Sequence, residues 1–447
     1  MQIRRDIEAF FAAWKQSENR KPILLQGARQ IGKTWIMEQF GKDYYDYCAI
    51  FDFDKHPEYK EAFVNSKEPT RVLKELAVYC NVPLLPEKTL IVFDEIQECE
   101  EALNSLKYFY EDASQYHIMA AGSLLGVAVK KRRMTVPVGK VKIVRMYPVS
   151  FREFLQVADP KTFEFVEGVQ NTEHLPLMVL NKLLLEYKRY QVCGGMPEAV
   201  VAMLENKGMA TVDETLQGIL DLYELDFAKY AEPAEIPRIR SVWHSLPAQL
   251  SKENRKFIYK VIRTGARSKD YEDALLWLND AGMIYQVFNL TKPGIPLSGY
   301  AERDAFKVYA CDCGLLRRMA RVVPEIIMNG NAGFTEFKGA LAENVVLQSL
   351  MAQPVSDVPY YWTSGNTAAV EFVIQYGSEI VPIEVKAEGN VGGKSLTVYE
   401  EKYHPKYRVR FSSNNLQQNG NLISIPSPMA CWLEKLLSFC SNLHSAH

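Results

Sequence analysis

The octapeptide GARQIGKT, residues 27–34, constrains this chain more than any other feature. It satisfies G-x-x-x-x-G-K-[ST] through Gly27, Gly32, Lys33 and Thr34, directly after the strand-like run PILLQ and directly before a helical stretch. That context demands a strand, a tight loop and a helix in one unit. Glycines there let backbone N–H groups wrap phosphates, and the helix N-terminus adds positive potential. The nucleotide-binding segment is then Gly27, Ala28, Arg29, Gln30, Ile31, Gly32, Lys33, Thr34 and Trp35. Lys33 would reach the β and γ phosphates, and Thr34 would ligate Mg2+.

Such a loop needs a sheet around it. The first third alternates apolar runs (PILLQG, CAIFDFD, TLIVFDE, HIMAAGS) with helical stretches such as 35–40 and 102–112, the rhythm of a parallel α/β sheet. TLIVFDE reads as a buried strand that delivers Asp94 and Glu95 at its C-terminal end. Asp94 is expected to hold Mg2+ through water, and Glu95 to orient or deprotonate the attacking water. HIMAAGS ends in Ser123, where a hydroxyl can sense the γ-phosphate. The expected ligand is ATP, with Mg2+ as cofactor, with Lys33, Glu95 and Ser123 as catalytic groups and Thr34 and Asp94 on the metal.

At 447 residues the chain exceeds what one hydrophobic core usually serves, so two or three domains are expected. A formal net charge of -2 gives no bulk attraction for nucleic acid, so such a partner needs a local basic patch. One exists after Ser123, with Lys130, Lys131, Arg132, Arg133, Lys140, Lys142 and Arg145. A run of this kind is ordinarily a solvated face. Its functional reading is phosphate contact with nucleic acid, or an arginine supplied to a neighbour's nucleotide in a homo-oligomer, for which Arg145 is the candidate finger. The eight cysteines form no CxxC pair or zinc-ligand spacing and read as reduced thiols of a cytoplasmic protein. Neither a membrane span nor a secretion signal is expected.

After MYPVSFREFL the strand runs stop and amphipathic helices continue to about residue 250, broken at CGGMPEAV, where Gly194 and Gly195 would take unusual backbone angles. KFIYKVIRTG then reads as a helix, and Tyr271, Ala274, Leu275 and Leu278 mark a second one by i, i+3, i+4, i+7 spacing. With the strand MIYQVFNL and the loop TKPGIPLSGY they suggest a winged helix. Its reading helix carries Glu272, Asp273 and Asp280 and no cation, which disfavours DNA. Cys311 and Cys313 read as core thiols.

GARQIGKT, FDEIQ, AAGSLLG, YPVSFREFL and CGGMPEAV together resemble a prokaryotic family of AAA-type P-loop ATPases related to the signalling STAND group. The likeness continues through KENRKFIYKVIRTGARSKDYEDALLWL, VYACDCGLL, FKGALAENVVLQSL and PIEVKAEG. The resemblance implies a helical lid, a winged helix and a C-terminal domain with a restriction-nuclease-like core, and no settled substrate. It lends Gly32, Lys33, Thr34, Asp94, Glu95 and Ser123 their nucleotide roles. Gly139-Lys140 departs from the Gly-Arg expected there, and lysine lacks the bidentate fork a trans-acting role would use.

The segment AAVEFVIQYGSEIVPIEVK folds by arithmetic. A two-residue turn at Gly377-Ser378 pairs Val370 with Val385, Phe372 with Ile383 and Ile374 with Val381, an apolar face. The other face sets Glu371 across from Glu384, with Lys386 beside them. Two carboxylates about 5 Å apart at an effective dielectric near 20 repel by about 3 kcal/mol. Protonation of one, or a shared divalent cation, would relieve this. With Glu343 laid over them by the helix GALAENVVLQSL, these residues match the PD-(D/E)xK nuclease pattern, with Glu371 where aspartate is usual.

The expected architecture is α/β: a P-loop AAA-type ATPase domain over 1–155, a helical lid over 156–250, a winged-helix-like module over 251–300 and a nuclease-like domain over 301–447. The expected activity is that of an ATP-binding, ATP-hydrolysing switch or motor coupled to the tail. The alternative is a non-hydrolytic module that binds nucleic acid or protein with an inactive nuclease-like tail.

Overall fold

The computed structural model describes residues 2–64, 66–127, 135–137, 139–252, 256–331, 333–353, 358–365, 368–388 and 393–444, with side chains to 440. Lys130, Lys131, Arg132 and Arg133 of the basic run lie outside the described residues.

The apolar runs of the first third become strands β1 (Ile23–Gln26), β2 (Tyr47–Asp52), β3 (Thr89–Asp94), β4 (His117–Ala121) and β5 (Lys142–Arg145). They form one parallel sheet in the order β2-β3-β4-β1-β5. Both faces are covered, which is why the central runs are continuously apolar rather than alternating. Ile23, Leu25, Leu90, Val92, Met119 and Ala121 enter the core on one side. Leu24, Ile91, Phe93, Ile118 and Ala120 enter a second, phenylalanine-rich core on the other. Because all strands run the same way, Gln26, Asp52, Asp94, Ala121 and Arg145 end along one edge, where ligands of such sheets bind.

Helices Phe151–Ala158, Pro160–Glu167, Leu177–Cys193, Pro197–Leu204, Met209–Tyr230 and Ile236–Leu250 follow. Ser150 and Glu153 make a capping box at the first of them. The break at CGGMPEAV is structural. A side chain on Gly195 would meet the Val149 carbonyl oxygen at 2.1 Å, so only glycine lets the two segments approach. The Gly195 N–H donates to Asp312 Oδ2 at 2.6 Å, and Leu315 N and Gln348 Nε2 donate to the same carboxylate at 2.9 and 3.0 Å. Asp312 is fully buried, and burial raises its pKa above the ordinary range. All eight cysteines are free, and Cys311 and Cys313 are buried on either side of Asp312.

The expected helix KFIYKVIRTG is a single turn, Tyr259–Ile262. Phe257 is drawn into strand-like pairing instead: its N–H donates to Phe306 O at 2.8 Å and its ring stacks on Phe306. The helix Glu272–Asp280 forms as its spacing requires, with Tyr271, Ala274, Leu275 and Leu278 buried.

Strands β6 (Ile284–Leu290), β7 (Ala301–Ala310), β8 (Tyr360–Thr363), β9 (Ala369–Tyr376), β10 (Glu379–Val385), β11 (Arg408–Ser412), β12 (Gln417–Asn419) and β13 (Leu422–Pro426) form a second, mixed sheet. Its order is β12-β13-β11-β10-β9-β8-β6-β7. The hairpin β6–β7 that a wing would supply is therefore joined to the tail, since β6 also pairs with β8. A boundary at residue 300 falls between two paired strands.

The β9–β10 ladder follows the arithmetic register from Glu379–Tyr376 through Val381–Ile374 to Ile383–Phe372. It stops there. Val370 does not join the apolar face expected of it but packs in a separate cluster with Leu290, Trp362 and Tyr399. Glu371, released from the ladder, accepts the Val385 N–H on a side-chain oxygen at 3.1 Å.

Candidate functional site

The phosphate loop is shaped by contacts on both flanks. Met146 N donates to Gln26 O at 2.8 Å, and a side chain at Gly27 would come within 2.3 Å of the Met146 carbonyl oxygen. β5 thus lies so close that only glycine can start the loop. Gln30 (φ 65°) and Gly32 (φ 88°) then turn the chain through left-handed conformations into the helix Lys33–Tyr44.

Lys33 is buried. Its ammonium donates to Gly27 O at 3.0 Å and Ala28 O at 2.8 Å, folded against the loop's own carbonyls. Desolvation lowers its pKa to about 8, partly offset by Glu95 and Asp94. Thr34 Oγ1 donates to Asp94 Oδ2 at 2.6 Å. Asp94 is 4% exposed, and burial raises its pKa to about 6 against the Thr34 bond that lowers it. A hydroxyl and one carboxylate, both hard oxygen donors, fit Mg2+, which keeps most of its water shell and needs no protein cage.

Glu95 adopts a left-handed backbone (φ 47°, ψ 45°), uncommon for a side chain of this size and found where surrounding bonds hold it. Ser123 Oγ donates to Glu95 Oε1 at 2.5 Å, and Gln97 Nε2 to Oε2 at 2.5 Å. Ser123 therefore meets the candidate base directly. Trp35 is 39% exposed on the first turn of the helix. Arg145 is exposed at the end of β5, paired in register with Gln26. It lines an open cleft of about 980 Å³ together with Arg4, Lys142 and Arg152. Lys140 pairs with Glu111 at 2.7 Å.

Several residues that close the site escape a reading of the sequence. Arg29 forms an ion pair with Asp226 of the helix Met209–Tyr230, and Tyr223 OH donates to Arg29 O at 2.9 Å. A signal exists: Asp226 is an acid within the buried stripe Leu216, Ile219, Leu220, Tyr223 and Phe227. Gln97 stands in FDEIQ, two residues past Glu95. Gly282 gives no such signal; a side chain on it would sit 3.2 Å from Ala28 N.

The second charged cluster is assembled, with protein cations against its acids. Glu384 is fully buried, accepts Arg410 Nε at 2.7 Å on Oε2, and has Lys386 Nζ 3.1 Å from Oε1. Glu343, on the helix Glu336–Met351, accepts Tyr309 OH at 2.7 Å with Lys307 Nζ at 3.7 Å. Burial raises the pKa of Glu371, while Lys307 and Lys386 oppose it. Among the described residues, no group of three or more His, Cys, Asp or Glu side chains is arranged to hold a metal ion. Lys307, Lys386 and Arg410 supply positive charge beside these acids. Arg410 and Lys307 come from strands that no local spacing ties to these acids.

Residues 19–155 match the AAA domain family AAA_14. Residues 184–325 match a domain of unknown function, DUF8612, and residues 338–429 another, DUF4143. No curated protein matches the chain. Among solved structures, a Walker-type ATPase of Pyrococcus abyssi is similar at 14% identity and a TM-score of 0.45, over 71% of this chain and 96% of that one. The Aeropyrum pernix ORC2 protein, solved as ADPNP-ADP complexes, is similar at 15% identity and a TM-score of 0.37, over 74% and 95%. The Aeropyrum pernix ORC1 protein, solved in complex with DNA, is similar at 12% identity and a TM-score of 0.25, over 71% and 90%. Among the described residues no helix is long and apolar enough to cross a membrane. The family match, with the phosphate loop and the acids at the end of β3, supports a P-loop ATPase domain of the AAA type in the N-terminal third.

Proposed function

We propose that the chain is a Mg-ATP-dependent molecular switch that hydrolyses ATP and passes its nucleotide state to the C-terminal sheet. The observation that carries this is the convergence of Lys33, the Thr34–Asp94 pair and the Glu95–Ser123 pair at one edge of the parallel sheet. Lys33 would leave the carbonyls of Gly27 and Ala28 for phosphate oxygens, and Thr34 and Asp94 would hold Mg2+. When bound, the cation neutralises charge on the triphosphate and orients it. Glu95 would exchange the Ser123 hydroxyl for the attacking water and take its proton, with Ser123 then released to bond a phosphate oxygen.

Coupling to the tail is supported by the close approach of Gly282 to Ala28, because β6 of the second sheet begins two residues later. Arg145, exposed beside the loop, suits an arginine finger for a neighbouring subunit. In the cleft it lines, Asp6, Glu8 and Glu153 also stand and Arg152 is paired with Asp6 and Glu167, so a phosphate backbone would be met by Arg145, Lys142 and Arg4 alone.

ATP turnover tests the proposal. Glu95→Gln is expected to keep nucleotide binding and to lose turnover by about 100-fold or more. Unchanged turnover removes Glu95 from the mechanism. A second reading has its own support: with Glu343 and Glu384 engaged by protein cations, a nuclease-like tail would bind rather than cut. Mg2+- or Mn2+-dependent DNA cleavage that disappears in Lys386→Ala would overturn it.

A further inference from the structure

We propose that Asp226 is a positioning residue of the nucleotide site. It holds the Arg29 guanidinium against the helical lid, and a bound triphosphate must take Arg29 away from it. This rests on the reading above, in which the loop 27–34 receives a triphosphate.

Arg29 lies in the middle of that loop, yet its side chain is committed to another segment. Its Nη1 pairs with Asp226 Oδ1, and the same helix grips its backbone through Tyr223 OH at 2.9 Å, one turn earlier. Asp226 has a side chain only 2% exposed, and its second oxygen, Oδ2, is buried without a hydrogen-bond partner among the described residues. Pro197, at the start of another lid helix, sits where a side chain on Gly32 would touch it, at 3.6 Å. The lid therefore meets the loop at three points, and the one that carries charge is Arg29–Asp226.

The charges make this contact antagonistic to the ligand. Asp226 is close enough to Lys33 and Glu95 to act on both electrostatically. A carboxylate in that position repels a triphosphate, while Arg29 is attracted by either anion and can fully serve one. Phosphate oxygens offer it a bidentate acceptor of higher charge. When Arg29 turns to the ligand, Asp226 loses its hydrogen-bonded cation while still buried, a state that is relieved when the helix Met209–Tyr230 shifts and hydrates the carboxylate. Nucleotide binding and lid docking thus draw on the same guanidinium, and each weakens the other's hold on it.

The experiment is calorimetric titration of the full chain with Mg2+ and the slowly hydrolysed analogue ATPγS, paired with amide hydrogen exchange over residues 209–230. Asp226→Asn keeps the shape but removes the charge. It is expected to tighten ATPγS binding by about 5- to 20-fold, since 1.4 kcal/mol is tenfold, and to exchange faster over 209–230 before any ligand is added. Asp226→Glu should return both readouts toward the wild type. On an Arg29→Gln background, Asp226→Asn should leave only the smaller gain from lost repulsion. Unchanged or weaker affinity in Asp226→Asn, with exchange still responding to ligand, overturns the proposal while leaving the ATP reading intact. Absence of ATPγS binding in the wild type overturns both.

Discussion

Replacing Lys33 with methionine should make the nucleotide-free protein more stable while destroying its ability to be stabilised by ATP. The ammonium is buried against Gly27 O and Ala28 O, and desolvation lowers its pKa from 10.5 to about 8. At ~1.4 kcal/mol per unit, the charged form carries a penalty of about 3 kcal/mol in the folded state. The sign follows from linkage. Below the folded value both states are protonated and the penalty is fully present. It fades as pH rises from about 8 to the unfolded value of 10.5, where the unfolded chain still binds a proton that the native one has lost. Methionine of similar length removes the penalty and forfeits two carbonyl bonds, which return about 1–2 kcal/mol of it. A net gain of about 1–2 kcal/mol raises Tm by roughly 1–2 °C for a protein of this size. Differential scanning fluorimetry at pH 7, with and without Mg-ATP, reads both effects. A lower Tm in the absence of nucleotide would refute the reasoning, because Lys33 would then be a structural asset rather than a charge held in readiness.

Nucleotide affinity should be bell-shaped in pH. Asp94 must lose its proton to serve Mg2+, so binding weakens as pH falls through about 6, and Lys33 must keep its proton, so binding weakens again above about 8. Titrations spanning both values locate the two limbs; a flat profile would mean that neither group contacts the ligand. In the second cluster, Arg410→Ala should destabilise the protein by about 2–4 kcal/mol in urea denaturation, since it leaves Oε2 of the buried Glu384 without its hydrogen-bonded cation and only Lys386 at Oε1. Lys386→Ala, at a side chain 31% exposed, should cost about 1 kcal/mol or less. Equal losses would contradict the division of labour drawn between the two cations.

What the sequence disclosed depended on how far apart the interacting residues lie. The phosphate loop, β3 and the β9–β10 register are written in contiguous segments, where spacing alone determines which side chains share a face. That is why Thr34 and Asp94 meet, with Lys33 folded against the loop beside them. Glu371 departs from its expected place because the period-2 rule assumes an unbroken ladder, and the irregularity in the neighbouring β8–β9 pairing between Tyr360 and Trp362 lies where that rule loses force. Arg410 reaches Glu384 from 26 residues away, across a parallel pairing of β10 with β11 that no turn fixes. Lys307 comes from β7 to the helix that carries Glu343, again with no spacing that could pair them. The lone Asp226 was legible as an acid in an apolar stripe, but its partner Arg29, 197 residues away, was not.

Asp312 has a consequence for how this chain can be taken apart. One side-chain carboxylate serves as knot for the glycine turn after Cys193, for the start of the helix Cys313–Met319 and for Gln348 of the long buried helix. A tail excised near residue 310 would lose its anchor, and an ATPase fragment ending there would bare the Gly195 amide that Asp312 now accepts. The pieces at 184–325 and 338–429 are therefore joined through a buried carboxylate that neither can lose without leaving a polar group unpaired.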